Sequence, residues 1–339
     1  MKLLTVTVPC YNSEAYMRHC LDTLLTGGED VEILIVDDGS TKDRTAEIAD
    51  DYQRRFPHIV RAIHQENKGH GGAVNTGIDN ATGLYFKVVD SDDWVDTEAF
   101  QKVLQTLREV TRGPQTLDCM LTNYVYEKAA SRRKPVMRYR TPFPKNEIFT
   151  WDKLGPLGLT DYVLMHSMIL RTGVLREVGL RLPEHTFYVD NLFAFIPFSG
   201  VKTLYYLDVN LYRYFIGRAD QSVNEQVMIG RLDQQMKVNQ IMLDFIPQMR
   251  KLHPKQRRFM VHYLSIIMSV TSIMLIRSKM PENFERKKKL WEDLKKKDRG
   301  IYLQIRWGLK GSTMNLPGKG GRSVSVFAYK IAQLLYGFN

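Results

Sequence analysis

The chain has 339 residues, 44% of them apolar, enough for one large domain and a substantial appendage. Its three cysteines, Cys10, Cys20 and Cys119, show no metal-ligand spacing and exclude a disulfide framework, which fits a reducing compartment. The net charge of +11 is unevenly spread, since residues 251–339 hold 19 Lys/Arg against 5 Asp/Glu and residues 1–250 hold 29 against 32. An anionic partner is therefore expected for the C-terminal quarter alone.

In chain order, Leu3–Val8 reads as a first strand, not as a signal peptide, because it lacks a long apolar core and a small-residue cleavage site. Asn12 or Ser13 is expected to cap a helix carrying Met17, Cys20, Leu21 and Leu24. Val31–Val36 is a second strand ending in Asp37-Asp38-Gly39-Ser40-Thr41, with Ser40 or Thr41 capping a helix over about 43–54. Ile59–Ile63 is a third strand, Gly69-His-Gly-Gly opens a helix near 73–81, and Tyr85–Val89 is a buried strand that breaks into Asp90-Ser91-Asp92-Asp93. Strands alternating with helices predict an α/β fold: a Rossmann-like, mostly parallel sheet with helices on both faces. Ligands of such sheets sit beyond the carboxyl ends of the strands, where Pro9–Asn12, Asp37–Ser40, Asn67–Gly72 and Asp90–Asp93 all fall.

Further on, a helix is expected over 96–110, strands over 117–125, 136–139 and 166–171, loop over 142–165, and a helix beginning at Asp190-Asn191. From 223 the pattern is helical, with helices over about 225–252, 256–278 and 284–298, then a Gly-rich turn at 318–321 and a final apolar helix. The apolar run Tyr263–Ile276 is 14 residues long and reads as a buried or interfacial helix. The predicted boundary divides residues 1–222 from a basic, mainly helical region, 223–339.

Three carboxylates on one turn repel one another unless a cation sits among them, and a hard divalent ion with oxygen ligands answers that need. Asp90, Asp92 and Asp93 are the metal candidates; the competing reading is a solvated acidic turn capping the next helix. Asp38 is suited to accept hydrogen bonds from a nucleobase or ribose, and Asn67-Lys68-Gly69 offers a cation and exposed amides nearby. Neither G-x-x-x-x-G-K-[ST] nor a strand-linked G-x-G-x-x-G is present. Displacement of a nucleoside diphosphate by an alcohol also needs a base, and Asp190, in an aromatic segment, is the candidate; its ordinary alternative is a helix cap. His166 reads as a core histidine. The runs Arg286-Lys-Lys-Lys and Lys295-Lys-Lys are by default a solvated helix face, but with the aromatic stretches beyond them they suit an interfacial anchor.

The series Val8-Pro-Cys-Tyr-Asn-Ser, Ile35-Val-Asp-Asp-Gly-Ser-Thr-Lys-Asp, Asn67-Lys-Gly with Asn75-Thr-Gly, and Asp90-Ser-Asp-Asp resembles the family 2 glycosyltransferases of GT-A fold, over about residues 1–100. The resemblance implies an inverting transferase using a nucleotide sugar, most often a UDP sugar, with Mn²⁺ or Mg²⁺. It assigns Pro9, Tyr11, Asn12, Asp38, Asn67, Lys68, Gly69, Asp90 and Ser91 to the nucleotide sugar, Asp90, Asp92 and Asp93 to the metal, and Asp190 to the catalytic base. Two departures stand out: Val189 replaces the polar partner usual before the base, and Ala73-Val74-Asn75 replaces Ala-Arg-Asn, leaving Lys68 as the nearby cation. The expected acceptor is a cell-surface polysaccharide, a teichoic-acid-like polymer or a glycolipid, met on the cytoplasmic face of a membrane with anionic lipid and without nucleic acid. A nucleotidyltransferase, or an inactive membrane-surface protein of the same fold, are the alternatives. The former lacks a second basic phosphate loop, since residues 9–28 contain only Arg18.

Overall fold

The computed structural model describes residues 2–128, 134–159, 161–216 and 225–336, the last five as backbone. It divides into two compact units, Met1–Gly217 and Arg218–Asn339. The boundary expected at 222/223 lies outside the described residues.

The first unit is built on ten strands: β1 (Leu4–Cys10), β2 (Val31–Asp37), β3 (Val60–His64), β4 (Tyr85–Val88), β5 (Trp94–Val95), β6 (Cys119–Lys128), β7 (Val136–Met137), β8 (Ile148–Thr150), β9 (Met168–Arg171) and β10 (Thr203–Ile216). Its helices are α1 (Met17–Leu25), α2 (Thr45–Arg55), α3 (Gly69–Asn80), α4 (Thr97–Arg112), α5 (Thr172–Glu177) and α6 (Asp190–Phe195). The sheet runs β3-β2-β1-β4-β9-β6-β10-β5, with β7 on β6 and β8 on β10. Pairing is parallel from β3 through β4, where each strand is linked to the next by a helix, and β9 then enters antiparallel to both β4 and β6. Every residue of β1 and β2 is buried, as a sheet covered on both faces requires. Glu32 survives inside β2 because its carboxylate accepts from the Thr5 hydroxyl at 2.6 Å and the Thr82 amide at 2.8 Å. All three cysteines are free and buried.

Several local expectations are corrected. Neither Asn12 nor Ser13 caps α1, and neither Ser40 nor Thr41 caps α2; these side chains and amides instead bond across loops, as described below. The stretch 142–165 is not all loop, since β8 pairs antiparallel with β10. β10, 14 residues long, follows the alternation in Leu207-Asp-Val-Asn-Leu-Tyr-Arg-Tyr, a stretch outside the elements expected from the sequence.

The second unit is helical: α7 (Glu225–Gly230), α8 (Leu232–Asp244), α9 (Ile246–Met249), α10 (Pro254–Arg277), α11 (Pro281–Lys297), α12 (Arg299–Trp307), α13 (Leu309–Met314) and α14 (Gly318–Tyr336). The single helix expected over 225–252 is three, the last break falling before Pro247, which belongs in a first helical turn. The Gly-rich segment at 318–321 is the first turn of α14, not a turn before it. Helix α10 is long and apolar enough to cross a membrane, but 72% of its apolar window is buried within the protein, against α7, α8 and α11–α14. It is the core of this unit. Two of its hydroxyls bond to neighbouring helices, Thr271 accepting from Asn239 at 2.6 Å and Ser272 from the Trp291 indole at 3.0 Å.

Candidate active site

Four loops leave the carboxyl ends of β1–β4, and a chain of hydrogen bonds stitches them together. Asn12, held at φ +49°, donates its amide to Ser40 at 2.9 Å and accepts from the Lys42 amide at 3.1 Å. Asp38 is buried; its carboxylate accepts from Gln65 at 2.6 Å and from the Lys68 amide at 2.8 Å, while its carbonyl accepts from Asn67 at 2.9 Å. Gly39 sits at φ +74° with the Asn67 backbone 3.0 Å from where a Cβ would be, so a side chain there is excluded. Ser13 and Ser91 share a 2.8 Å hydroxyl contact, and His70 lies 2.7 Å from the Asp90 carboxylate. Pro9 is buried at the end of β1, Tyr11 is half-exposed beside it, and Lys68 is exposed beyond Asp38.

The Asp90–Asp93 turn is completed by β10, which pairs antiparallel with β5 immediately after it. The Tyr212 hydroxyl accepts from the Asp90 amide at 3.2 Å and donates to the Asp93 carboxylate, which also takes the Phe215 amide at 2.7 Å. Asp93 is fully buried; burial, then the charges of Asp92 and Asp90, push its pKa well above the ordinary carboxylate value. Burial acts the same way on Asp90, but the charge of His70 and its hydrogen bond, with Lys87, outweigh it and hold that carboxyl below its ordinary value. Burial opposes charge on His70, and Asp90, Asp190 and Asp92 overcome it and raise the imidazole.

His166 is packed as a core residue, stacked on Tyr212 at 4.6 Å between centroids, yet its position reaches further than the core reading implies. Its Nδ1 is buried without a hydrogen-bond partner, and its ring lies within 4.8 Å of carboxylate oxygens of Asp90 and Asp93. Burial lowers its pKa to about 4, which leaves a neutral imidazole with a free lone pair. Two carboxylates and a neutral imidazole this close together form a donor set that suits a divalent ion. Behind the turn, Lys87 is buried in β4 and donates to the His166 carbonyl at 2.6 Å; burial lowers its pKa to about 7.

Asp190 begins α6, whose N-cap is Val189, and its carboxylate takes backbone hydrogen bonds from the Asp190 and Asn191 amides of that first turn. Burial raises its pKa to about 6, with His70 working against the rise and Asp90 adding to it. The segment leading to it is clamped to α3: Asn75 donates to the Leu182 carbonyl at 2.8 Å and accepts from the Leu182 amide at 2.9 Å, and the His185 amide donates to the Lys68 carbonyl at 2.9 Å. Gly71 permits this approach, since a Cβ there would stand 2.6 Å from the Pro183 carbonyl.

Residues 5–170 match the family model described as Glycosyl transferase family 2. This part of the chain belongs to glycosyltransferase family 2. The chain is 32% identical over 227 residues to EpsJ of Bacillus subtilis, an uncharacterized glycosyltransferase, covering 62% of this chain and 60% of EpsJ. It is 38% identical over 100 residues to the poly(ribitol-phosphate) β-glucosyltransferase of Bacillus spizizenii, covering 28% of this chain and 16% of that one. Among solved structures, residues 1–349 of S. aureus TarS in complex with UDP-GlcNAc superpose with a TM-score of 0.53 at 19% identity, covering 91% of this chain and 92% of that one. That likeness concerns the fold, which is of the GT-A type. Tyr212 and His166 are the residues at this site that sequence reasoning missed. The alternation along β10 was a readable signal for Tyr212, and nothing local marked His166.

Proposed function

We propose that the protein is an inverting, metal-dependent glycosyltransferase that moves a sugar from a UDP sugar to a hydroxyl of a surface polysaccharide, a teichoic-acid-like polymer or a glycolipid. The observation that carries this reading is the pairing of an anionic turn, Asp90–Asp93, with a separate carboxyl, Asp190, across His70. Asp38 and the loops it organises, with Pro9, Tyr11, Asn12, Asn67, Lys68, Gly69 and Ser91, would hold the nucleotide and ribose. Asp90, Asp92, Asp93 and His166 would hold Mn²⁺ or Mg²⁺, whose chemistry is to neutralise the departing diphosphate. Asp190 takes the proton of the acceptor hydroxyl as its oxygen bonds to the anomeric carbon and the sugar–diphosphate bond breaks. A single displacement inverts the anomeric centre. At pH 7 a carboxyl of pKa about 6 is mostly ionised and more basic than an ordinary aspartate, as a general base should be. The TarS complex contains UDP-GlcNAc, a donor of the class proposed, and the poly(ribitol-phosphate) relative names an acceptor of the class proposed.

Screening nucleotide sugars for thermal stabilisation and slow hydrolysis with Mn²⁺ present tests this reading. A UDP sugar should stabilise the protein, and both stabilisation and turnover should vanish in Asp92→Asn, whose partly exposed position leaves the fold intact. Full activity in excess EDTA would overturn the metal dependence.

A further inference from the structure

The second unit contains a cavity of about 550 Å³ formed by one face of α11, by α12 and by the start of α14. Lys287, Lys288 and Lys295 reach it from α11, Arg306 from α12 and Arg322 from α14, while Glu292 is its single acidic lining residue. Lys287, Arg306 and Arg322 are half-buried there. Among the described residues no carboxylate lies within ion-pair distance of these three. Their polar contacts are neutral: Lys287 donates to the Asn315 side chain at 3.0 Å and Arg306 to its carbonyl at 3.2 Å. Burial, then the charges of Arg306 and Arg322, lower the Lys287 pKa to about 8, so the fold holds cations together against their repulsion. The remaining wall is aromatic and apolar, with Phe284 under Arg322 at 4.3 Å and Tyr302, Trp291 and Leu316 beside it. Gly321, next to Arg322, packs so close to Leu316 that a Cβ there would stand 2.6 Å from its backbone.

We propose that this cavity binds a phosphate group, as a monoester or diphosphate. Two guanidinium groups and an ammonium converging without a counter-anion match the charge and the several acceptor oxygens of such a group. The apolar wall suits a phosphate carried on a hydrophobic body. Nothing in this assignment depends on the transferase reading, since all the lining residues lie in the second unit.

The test uses the full chain in EDTA, titrated calorimetrically with inorganic pyrophosphate. Saturable binding is expected, weakened about tenfold or more in Arg306→Ala and in Lys287→Met and unchanged in Lys296→Ala, which is exposed and does not line the cavity. Both lining variants should melt at or above the wild-type temperature, since each relieves repulsion, and both should keep UDP binding with Mn²⁺; pyrophosphate should raise the melting temperature of wild type only. Vesicles then identify the source of the phosphate. If the lining variants lose binding to phosphatidic acid vesicles more than to phosphatidylglycerol vesicles of equal charge, the ligand is a lipid headgroup; if they lose only pyrophosphate, it is soluble. Absent saturable binding, or lining variants that bind pyrophosphate as wild type does, would overturn the site.

Discussion

Asp190 shares its surroundings with three other carboxylates, and only its own environment distinguishes it. Asp93 is spoken for by Tyr212 and Phe215, and Asp90 by His70. Asp190 is held by the backbone amides of its own helix turn and by a 3.4 Å contact from the Asn191 side chain, and burial still lifts its pKa to about 6. The base works only when ionised, so kcat should fall as pH drops through about 6 and level off above it. Asp190→Asn should lower kcat by a factor of ~10²–10⁴, abolish that acid limb and leave UDP affinity unchanged. Loss of UDP affinity with kcat retained would place Asp190 on the nucleotide side instead. Asp38 and the Asp90–Asp93 turn could be picked out in the sequence because each lies in a short run whose composition announces a strand end, and Asp190 because it opens a helix within an aromatic segment. Tyr212 was legible only as part of an alternating strand and His166 not at all as a site residue: they reach the turn through β10–β5 pairing and through the packing of the segment before β9, which join residues far apart in sequence.

Elements set the distance between the two halves of the site. Helix α3 opens at Gly69, φ +73°, and presents Gly71 and Asn75 to the segment 182–185 that leads to Asp190. In the sequence Gly71 and Gly72 suggest a backbone that a ligand can approach closely; the structure corrects this, setting the Pro183 backbone against Gly71 and the Lys68 side chain against Gly72. Replacement of Gly71 by Ala should push Pro183 away, because a contact of 2.6 Å to a carbonyl cannot be absorbed by a side-chain rotation. The expected result is a stability loss of about 1–3 kcal/mol and a fall in kcat larger than any change in donor affinity, since β1–β4 and their loops stay in place. Thermal melts and initial rates on one preparation decide it; equal losses in kcat and donor affinity would mean that α3 itself has moved. Elsewhere the element-level misses have one cause. Local periodicity does not show where a long helical pattern breaks, as at Pro247, or that an irregular stretch donates a short edge strand, as β8 does.

At the scale of the whole chain, charge and exposed apolar surface gather in the same quarter. Trp307 is 70% exposed, Leu309 67% and Phe327 66%, and Leu303, Val324 and Ile331 are also exposed on α12 and α14. Val324, Phe327 and Ile331 follow one face of α14, as an interfacial helix requires. The surrounding excess of Lys and Arg suits an anionic leaflet, each cation near it contributing about 1 kcal/mol. We propose that this quarter docks the protein on the cytoplasmic leaflet, where a membrane-bound acceptor is presented. Deleting residues 284–339 is a poor test, since Leu290, Trp291 and Leu294 are buried and removing them would open the helical core. Trp307→Glu with Phe327→Glu changes only exposed positions and keeps the fold. In liposome co-sedimentation, wild type should bind vesicles containing anionic lipid, bind less as salt rises and ignore neutral vesicles. The double variant should stay in the supernatant while retaining its melting temperature and its turnover on a soluble acceptor. Equal binding to neutral vesicles, or a double variant that still sediments, would reject this surface as the anchor.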